Sequence, residues 1–313
     1  LYSLCYAYKV MNYSERLHAI LSASGSSQEQ LASQLGVTFA TLNSWVNGRS
    51  VPRAKAIVRI EKLYFDTIGI DTIDGKTLQS LKSQALRCNI SAEQLINNSE
   101  LLDKLTLYLT YHTNTIEGST MTLSDVGDVI FDHKVLSNRT AIEQAEARNH
   151  QATLHWLIDE ISQSKQLIVD EDLILNIHLR LMNGILSDAG KYRAHAVRIL
   201  GSRTVVANYL KVPALISGLS ADNLVNTDLI ASLARTHAKF EQIHPFSDGN
   251  GRTGRLIMLV QALSKNVAPP LIRKERKIAY YKALELAQTA ENYGPLELFV
   301  AEAILFSNEL LTS

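Results

Sequence analysis

Twelve consecutive residues constrain this chain more than any other stretch: His244-Pro245-Phe246-Ser247-Asp248-Gly249-Asn250-Gly251-Arg252-Thr253-Gly254-Arg255. On one side, His237 to Ile243 mixes apolar and aromatic residues with polar ones; on the other, Leu256 to Leu263 is an apolar run. The stretch therefore reads as helix, tight turn, helix. The Gly249-Asn250-Gly251 turn leaves backbone N–H groups free to face an anion, and the helix behind it offers its positive end. Arg252 and Arg255, three apart, share one face of that helix's first turn. Two guanidiniums beside an amide nest suit a polyphosphate rather than a single phosphate. Asp248, at the entrance, supplies the one carboxylate that Mg2+ needs besides phosphate oxygens. His244 is the only side chain of the twelve suited to general-base work near neutral pH. Singly, each feature is an ordinary turn or a solvated helix face; their order points to a site.

The stretch resembles the signature of the Fic family, H-P-F-x-[D/E]-G-N-G-R-x-x-R, at every specified position. The resemblance implies a protein adenylyltransferase that moves AMP from ATP, its substrate, to a hydroxyl of a target protein. His244 would then deprotonate the hydroxyl, Phe246 anchor the loop in the core, and Asp248 hold Mg2+. Gly249, Asn250, Gly251 and Arg252 would cradle the α- and β-phosphates, and Arg255 would take the γ-phosphate. Such chemistry asks for positioning and charge neutralisation more than covalent help. Relatives that transfer phosphate carry a lysine where Gly251 stands, which argues against that reaction.

Thr113-Asn114-Thr115-Ile116-Glu117-Gly118 resembles the family's inhibitory motif, [S/T]-x-x-x-E-[G/N], and lies N-terminal to the signature as in the self-inhibited branch. Leu101 to Leu109 is apolar at helical spacing, and Gly118 suits a helix end. The resemblance implies that Glu117 pairs with Arg255 and denies it to the γ-phosphate. In some relatives the same glutamate positions a water to remove AMP, so removal is an alternative reading. The non-enzyme alternative is a transcription regulator in which the Fic domain senses nucleotide.

Gly190-Lys191-Tyr192-Arg193, then Val197, Arg198, Ile199, Leu200 and Gly201, are β-branched and turn-rich, and predict a short hairpin. By resemblance this is the flap that pairs with an extended target segment. The family's frequent Pro-Pro is missing; Val205 to Asn208 stands there. Tyr281 and Asn292 match positions that imply an adenine pocket.

Near the N-terminus, Gln28 to Val37 reads as a helix closed by Gly36, Thr38 to Val46 as a second opened by Thr38, and Ala54 to Tyr64 as a third. The pattern resembles the lambda-repressor-like helix-turn-helix module. Leu31, Ala32, Leu35, Val37, Leu42 and Trp45 would be its core, and Thr38, Phe39, Ala40, Asn43 and Ser44 would face a DNA major groove. None of those five is Arg, Lys or Gln, so direct base readout is thin. Between Met11 and Phe65 six basic residues oppose three acidic ones (Arg16, Arg49, Arg53, Lys55, Arg59 and Lys62 against Glu15, Glu29 and Glu61), a modest excess for phosphate contacts.

The expected architecture is all-α with one short β-hairpin, since periodicity from Leu81 onward is helical, as in Thr140 to Ile161 and Asp170 to Met182. Expected divisions are an added or leader segment over 1–11, the helix-turn-helix domain over 12–65, a linker over 66–84 and the Fic domain over 85–313. Within the last, the inhibitory helix covers about 99–118, the flap about 191–212 and the signature 244–255. The formal net charge of zero implies no global attraction to nucleic acid or membrane. Cys5 and Cys88 give neither a disulfide framework nor a metal spacing. No apolar run reaches the ~18 residues of a membrane span. The expected setting is the bacterial cytoplasm, the expected partners a protein with a Ser, Thr or Tyr hydroxyl, the chain itself as a second target, DNA, and a second copy in a homo-oligomer.

Overall fold

The computed structural model describes residues 12–68, 75–164, 167–199, 202–222 and 228–313. Residues 1–11 and the flap's Leu200 and Gly201 lie outside them. The first four helices are α1 (Tyr13–Ser24), α2 (Gln28–Leu35), α3 (Phe39–Val46) and α4 (Ala54–Ile68). Their starts are written locally: Asn12 with Glu15, and Ser27 with Gln30, form reciprocal capping boxes, and Thr38 caps α3. The small core holds Leu17, Ile20, Leu31, Leu35, Leu42 and Ile60, all but closed to solvent. Val37, expected in it, is only partly buried.

The larger body comprises α5 (Gly75–Ala85), α6 (Ala92–Ile96), α7 (Ser99–Glu117), α8 (Leu123–Ile130), α9 (Ala141–Gln163), α10 (Glu171–Leu181), α11 (Val212–Asp222), α12 (Leu229–Ile243), α13 (Asn250–Leu263), α14 (Lys277–Ala290) and α15 (Gly294–Thr312). Helix α13 is buried nearly all round and packs against α7, α9, α10 and α12; its Leu256–Leu263 half is apolar on nearly every face, and its polar first turns face the site. The signature thus opens the central helix of the body, and its supports come from every neighbour. Among the described residues no helix is long and apolar enough to cross a membrane.

Residues 75–84 depart from expectation. They were expected in the linker, yet 75–85 form α5, which packs on α15. Leu81 and Ala85 enter the main core, and the Lys82 ammonium sits between Asp228 Oδ2 (2.5 Å) and Glu297 Oε2 (2.6 Å). Among the described residues no hairpin is formed either. Described residues of 191–212 include no strand; they run irregularly to the single turn Tyr209–Lys211. The only β-bridge among the described residues joins Asn89 to Val267. β-Branched residues fit a pleated surface only when another strand supplies one. Here the Arg193 guanidinium takes up the backbone, donating to the carbonyls of His195 (2.7 Å) and Ala207 (2.6 Å).

The small helical domain is fastened to the large one by buried charge. Helix α4 packs against α14 and the single turn Lys274–Arg276. Arg16 of α1 pairs with Glu61 of α4 and approaches Glu302 of α15 (3.8 Å); Arg276 pairs with Glu302 and approaches Glu61 (3.9 Å). All four are under a tenth exposed. Removing one member of such a cluster strands a charge where water cannot reach it. Glu61→Ala should therefore lower the stability of the whole chain by about 3–5 kcal/mol in urea unfolding; a loss near the ~0.5 kcal/mol of a surface pair would contradict the cluster's role.

Candidate functional site

Phe246 is the pin of the signature loop. It is wholly buried and stacks face to face on His178 of α10, ring centroids 3.6 Å apart. The Asn250 side chain closes a ring with the Phe246 backbone, accepting from its N–H and donating to its C=O, each at 2.9 Å. Asn250, expected at the phosphates, can therefore offer them its backbone N–H but not its amide. His178 Nε2 donates to the Asp248 carbonyl (3.0 Å) and its Nδ1 accepts from Gly190 N–H (2.9 Å). Burial holds that imidazole neutral by pulling its pKa to about 4. From the flap side, Arg193 donates through Nε to the His244 carbonyl (2.7 Å), and its backbone N–H donates to that of Pro245 (3.0 Å).

His244 ends α12 in the left-handed region, φ 50°. Its Nδ1 faces the Glu241 carbonyl at 3.3 Å. A carbonyl only accepts, so Nδ1 carries the proton and Nε2 keeps a free lone pair. Burial lowers the imidazole's pKa, outweighing the carbonyl contact that raises it. The residue is therefore a neutral base at pH 7.

Gly249, at φ 77°, turns the chain into α13, and no side chain caps that helix. The first-turn N–H groups are left to an external acceptor. Asp248 stands at the mouth with its side chain 66% exposed, Oδ1 receiving Gly249 N–H at 2.6 Å. Glu117, the last residue of α7, reaches into the same space. Its Oε1 lies 2.5 Å from Arg255 Nη2, and a Cβ at position 251 would collide with it. Arg255 Nε also donates to Thr113 Oγ1 (2.7 Å). Burial alone would raise the Glu117 carboxyl, but the Arg255 charge and hydrogen bond hold it below the ordinary value, so it is ionised. The structure therefore brings Thr113, Glu117, Gly251 and Arg255 together. Arg252 departs from expectation: its side chain, 3% exposed, turns inward to Glu146 Oε1 of α9 at 2.6 Å.

The other expected positions are less committed. Tyr281, inside α14, is 42% exposed, and Asn292, just past the C-cap of that helix, is partly buried. Val197, Arg198 and Ile199 lie on the irregular flap. On α3, Phe39 and Ala40 are exposed, but Thr38 is the helix cap, Asn43 donates to Gln28 Oε1 (3.1 Å) and Ser44 meets Ser50 (2.8 Å). Arg16, counted among the phosphate-contacting residues, is buried in the domain junction.

Sequence reasoning passed over Glu146, His178 and Glu241 and gave Arg193 no role beyond its place in the flap. Glu146, His178 and Arg193 reach the signature from elements far off in sequence, whereas Glu241 lies in the last turn of α12, just before it. Glu241 is fully buried one turn before His244, with Oε1 unpartnered beside Gly254, Arg255 and His237. Burial raises its pKa to about 8 from an ordinary 4.5. The unfolded chain then releases this proton near 4.5 while the folded chain keeps it to about 8. Its contribution to stability is full below 4.5 and drains away as pH rises between the two values. Glu241→Gln should flatten the decline of the melting temperature from about pH 5 to 8; parallel curves for the two proteins would contradict the assignment.

The family model described as Fic/DOC matches residues 168–262, and that described as helix-turn-helix matches 17–65. Curated relatives include protein adenylyltransferase fic-1 of Caenorhabditis briggsae, 28% identical over 61% of this chain, and that of Caenorhabditis elegans, 26% identical over 74%. The chain spans less than half the length of these relatives, 37% and 45%. Among solved structures, residues 134–508 of Caenorhabditis elegans Fic-1 superpose with a TM-score of 0.63 at 19% identity, covering 96% of this chain and 98% of that one. A Fic-domain protein from Bacteroides thetaiotaomicron gives 0.60 at 21% identity, over 76% and 97%. One from Desulfovibrio desulfuricans gives 0.61 at 26%, over 76% and 74%. The chain carries a Fic/DOC-family domain, with a helix-turn-helix domain in front of it.

Proposed function

We propose that this protein transfers AMP from ATP to a hydroxyl side chain of a target protein and is held inactive by its own Glu117. The observation that carries the reading is the Glu117–Arg255 pair at 2.5 Å, seated on the uncapped N-terminus of α13. A carboxylate there occupies the place an anionic phosphate would take. With Nε on Thr113 and Nη2 on Glu117, the one Arg255 nitrogen without a partner, Nη1, is buried, so the guanidinium is closed to a γ-phosphate while Glu117 stays.

When Glu117 withdraws, the nest amides receive the α- and β-phosphates and Arg255 the γ-phosphate. His244 Nε2 takes the proton of the target hydroxyl, whose oxygen forms the new bond to the α-phosphorus as the bond to pyrophosphate breaks. Arg193 fixes both ends of this arrangement, through the His244 carbonyl and the flap carbonyls of His195 and Ala207. Among the described residues no three His, Cys, Asp or Glu side chains cluster to hold a metal. The exposed Asp248 carboxylate suits Mg2+ shared with phosphate oxygens, which would neutralise charge on the leaving pyrophosphate. Tyr281 and Asn292 would line the adenine site. The ionised Glu117 beside the nest also favours a second reading, AMP removal, in which it orients a water. The helix-turn-helix domain is fastened through α1 and α4, which leaves Phe39 and Ala40 of α3 outward for DNA.

Glu117→Gly should label protein from α-labelled ATP at least about tenfold faster than wild type, one lost charge-assisted contact being worth that much; an unchanged rate removes the inhibitory reading. His244→Ala in that background should abolish label while ATP still binds, and surviving transfer would show that the base is another group. Because burial lowers the His244 pKa, the acid limb of kcat/KM for Glu117→Gly should fall below pH 6.5; a limb above it would contradict the assignment.

A further inference from the structure

We propose that Glu146 is a positioning residue for the anion nest. It holds Arg252 as a buried strut under the first turn of α13, so the phosphates meet the nest amides and Arg255 rather than the Arg252 guanidinium. The inference rests on the ATP reading of the nest given above.

Arg252 is the third residue of α13, directly behind the turn that forms the nest. Its Nη1 lies 2.6 Å from Glu146 Oε1, its Nη2 4.0 Å from Asp248 Oδ1, and its side chain is 3% exposed. The Arg252 Nε is buried without a hydrogen-bond partner. A guanidinium so enclosed leaves its carboxylate only by stranding both charges in a region of low polarity. The carboxylate cannot follow it, because Glu146 lies inside α9. One turn further on, buried His150 of the same helix meets Thr110 Oγ1 of α7 at 2.9 Å and fixes the helix in register.

The contrast with Glu117 decides between a latch and a strut. Glu117 is the last residue of its helix, beside Gly118 at φ 113°, and its side chain is 31% exposed. It has somewhere to go, and the pair it makes can open. Glu146 is 16% exposed with helix on both sides, and the pair it makes stays closed. Helix α13 begins with two arginines added to its own positive end, an arrangement that repels itself. Glu146 neutralises the inner charge permanently, which leaves the amides and Arg255 as the variable part.

The test is a double-mutant cycle on ATP binding by calorimetry, in the full chain carrying Glu117→Gly, with Glu146→Gln, Arg252→Gln and both together. Each single change should weaken ATP binding about tenfold or more, as loss of a buried partner does, and the double should be no weaker than the worse single. A drop in melting temperature with unchanged ATP affinity for Glu146→Gln overturns the proposal, as does Arg252→Gln costing far more than Glu146→Gln with the two losses adding. If Glu146→Gln does not fold, Arg252→Gln decides alone: a strut weakens ATP, ADP and AMP by one factor, and a loss that spares AMP overturns it. Failure of the Glu117→Gly protein to bind ATP at all would instead overturn the function reading, and this proposal with it.

Discussion

Arg255 is a charge enclosed at the centre of a helical body, and a buried charge must be answered by an anion, whether from the chain or from a ligand. Its helix is surrounded by α7, α9, α10 and α12, so the chain's answer has to come from one of them. It comes from α7, through Thr113 Oγ1 at 2.7 Å and Glu117 Oε1 at 2.5 Å. Much of the site's arrangement follows from that. Glu117 must end its helix where the nest begins, position 251 must lack a Cβ to admit it, and the Glu117 carboxyl must stay ionised. A carboxylate on the nest is also the simplest imitation of a phosphate that a protein can build from its own chain.

The same solution is used three times with different consequences. The Glu117–Arg255 pair stands at a helix end and can part. Glu146–Arg252 stands mid-helix and holds. The cluster of Arg16, Glu61, Arg276 and Glu302 joins two domains, and Arg276 lies one turn before Tyr280. Tyr280, fully buried, meets His237 Nε2 at 2.5 Å beneath α13. The buried charge thus ends one helical turn from a neutral hydrogen bond at the floor of the site.

What was legible in the sequence was local. The signature, the capping boxes, the glycine ends of α2 and α7 and the spacing from Thr113 to Glu117 are all contained in a few residues. The structure buries Phe246 against His178 and places Glu117 within 2.5 Å of Arg255. Residues whose role lies across the fold were not legible: Glu146 reaches Arg252, and Arg193 reaches His244, each from more than fifty residues away. β-Branched residues in the flap predict a partner strand, whereas among the described residues the Arg193 guanidinium answers the carbonyls of His195 and Ala207. The stretch 75–84 falls in the expected linker, but Leu81, Lys82 and Ala85 bind it to the body through partners far off in sequence.

The most direct test of the account is the ratio of ATP to ADP affinity, measured by calorimetry for the wild-type chain and for Glu117→Gly. With Glu117 on Arg255 the γ-phosphate finds no partner, so wild type should bind the two nucleotides about equally. With Arg255 freed, ATP should be preferred by about tenfold, the worth of one charge-assisted phosphate contact. The same ratio in both proteins would contradict the claim that Glu117 and the γ-phosphate compete for one guanidinium.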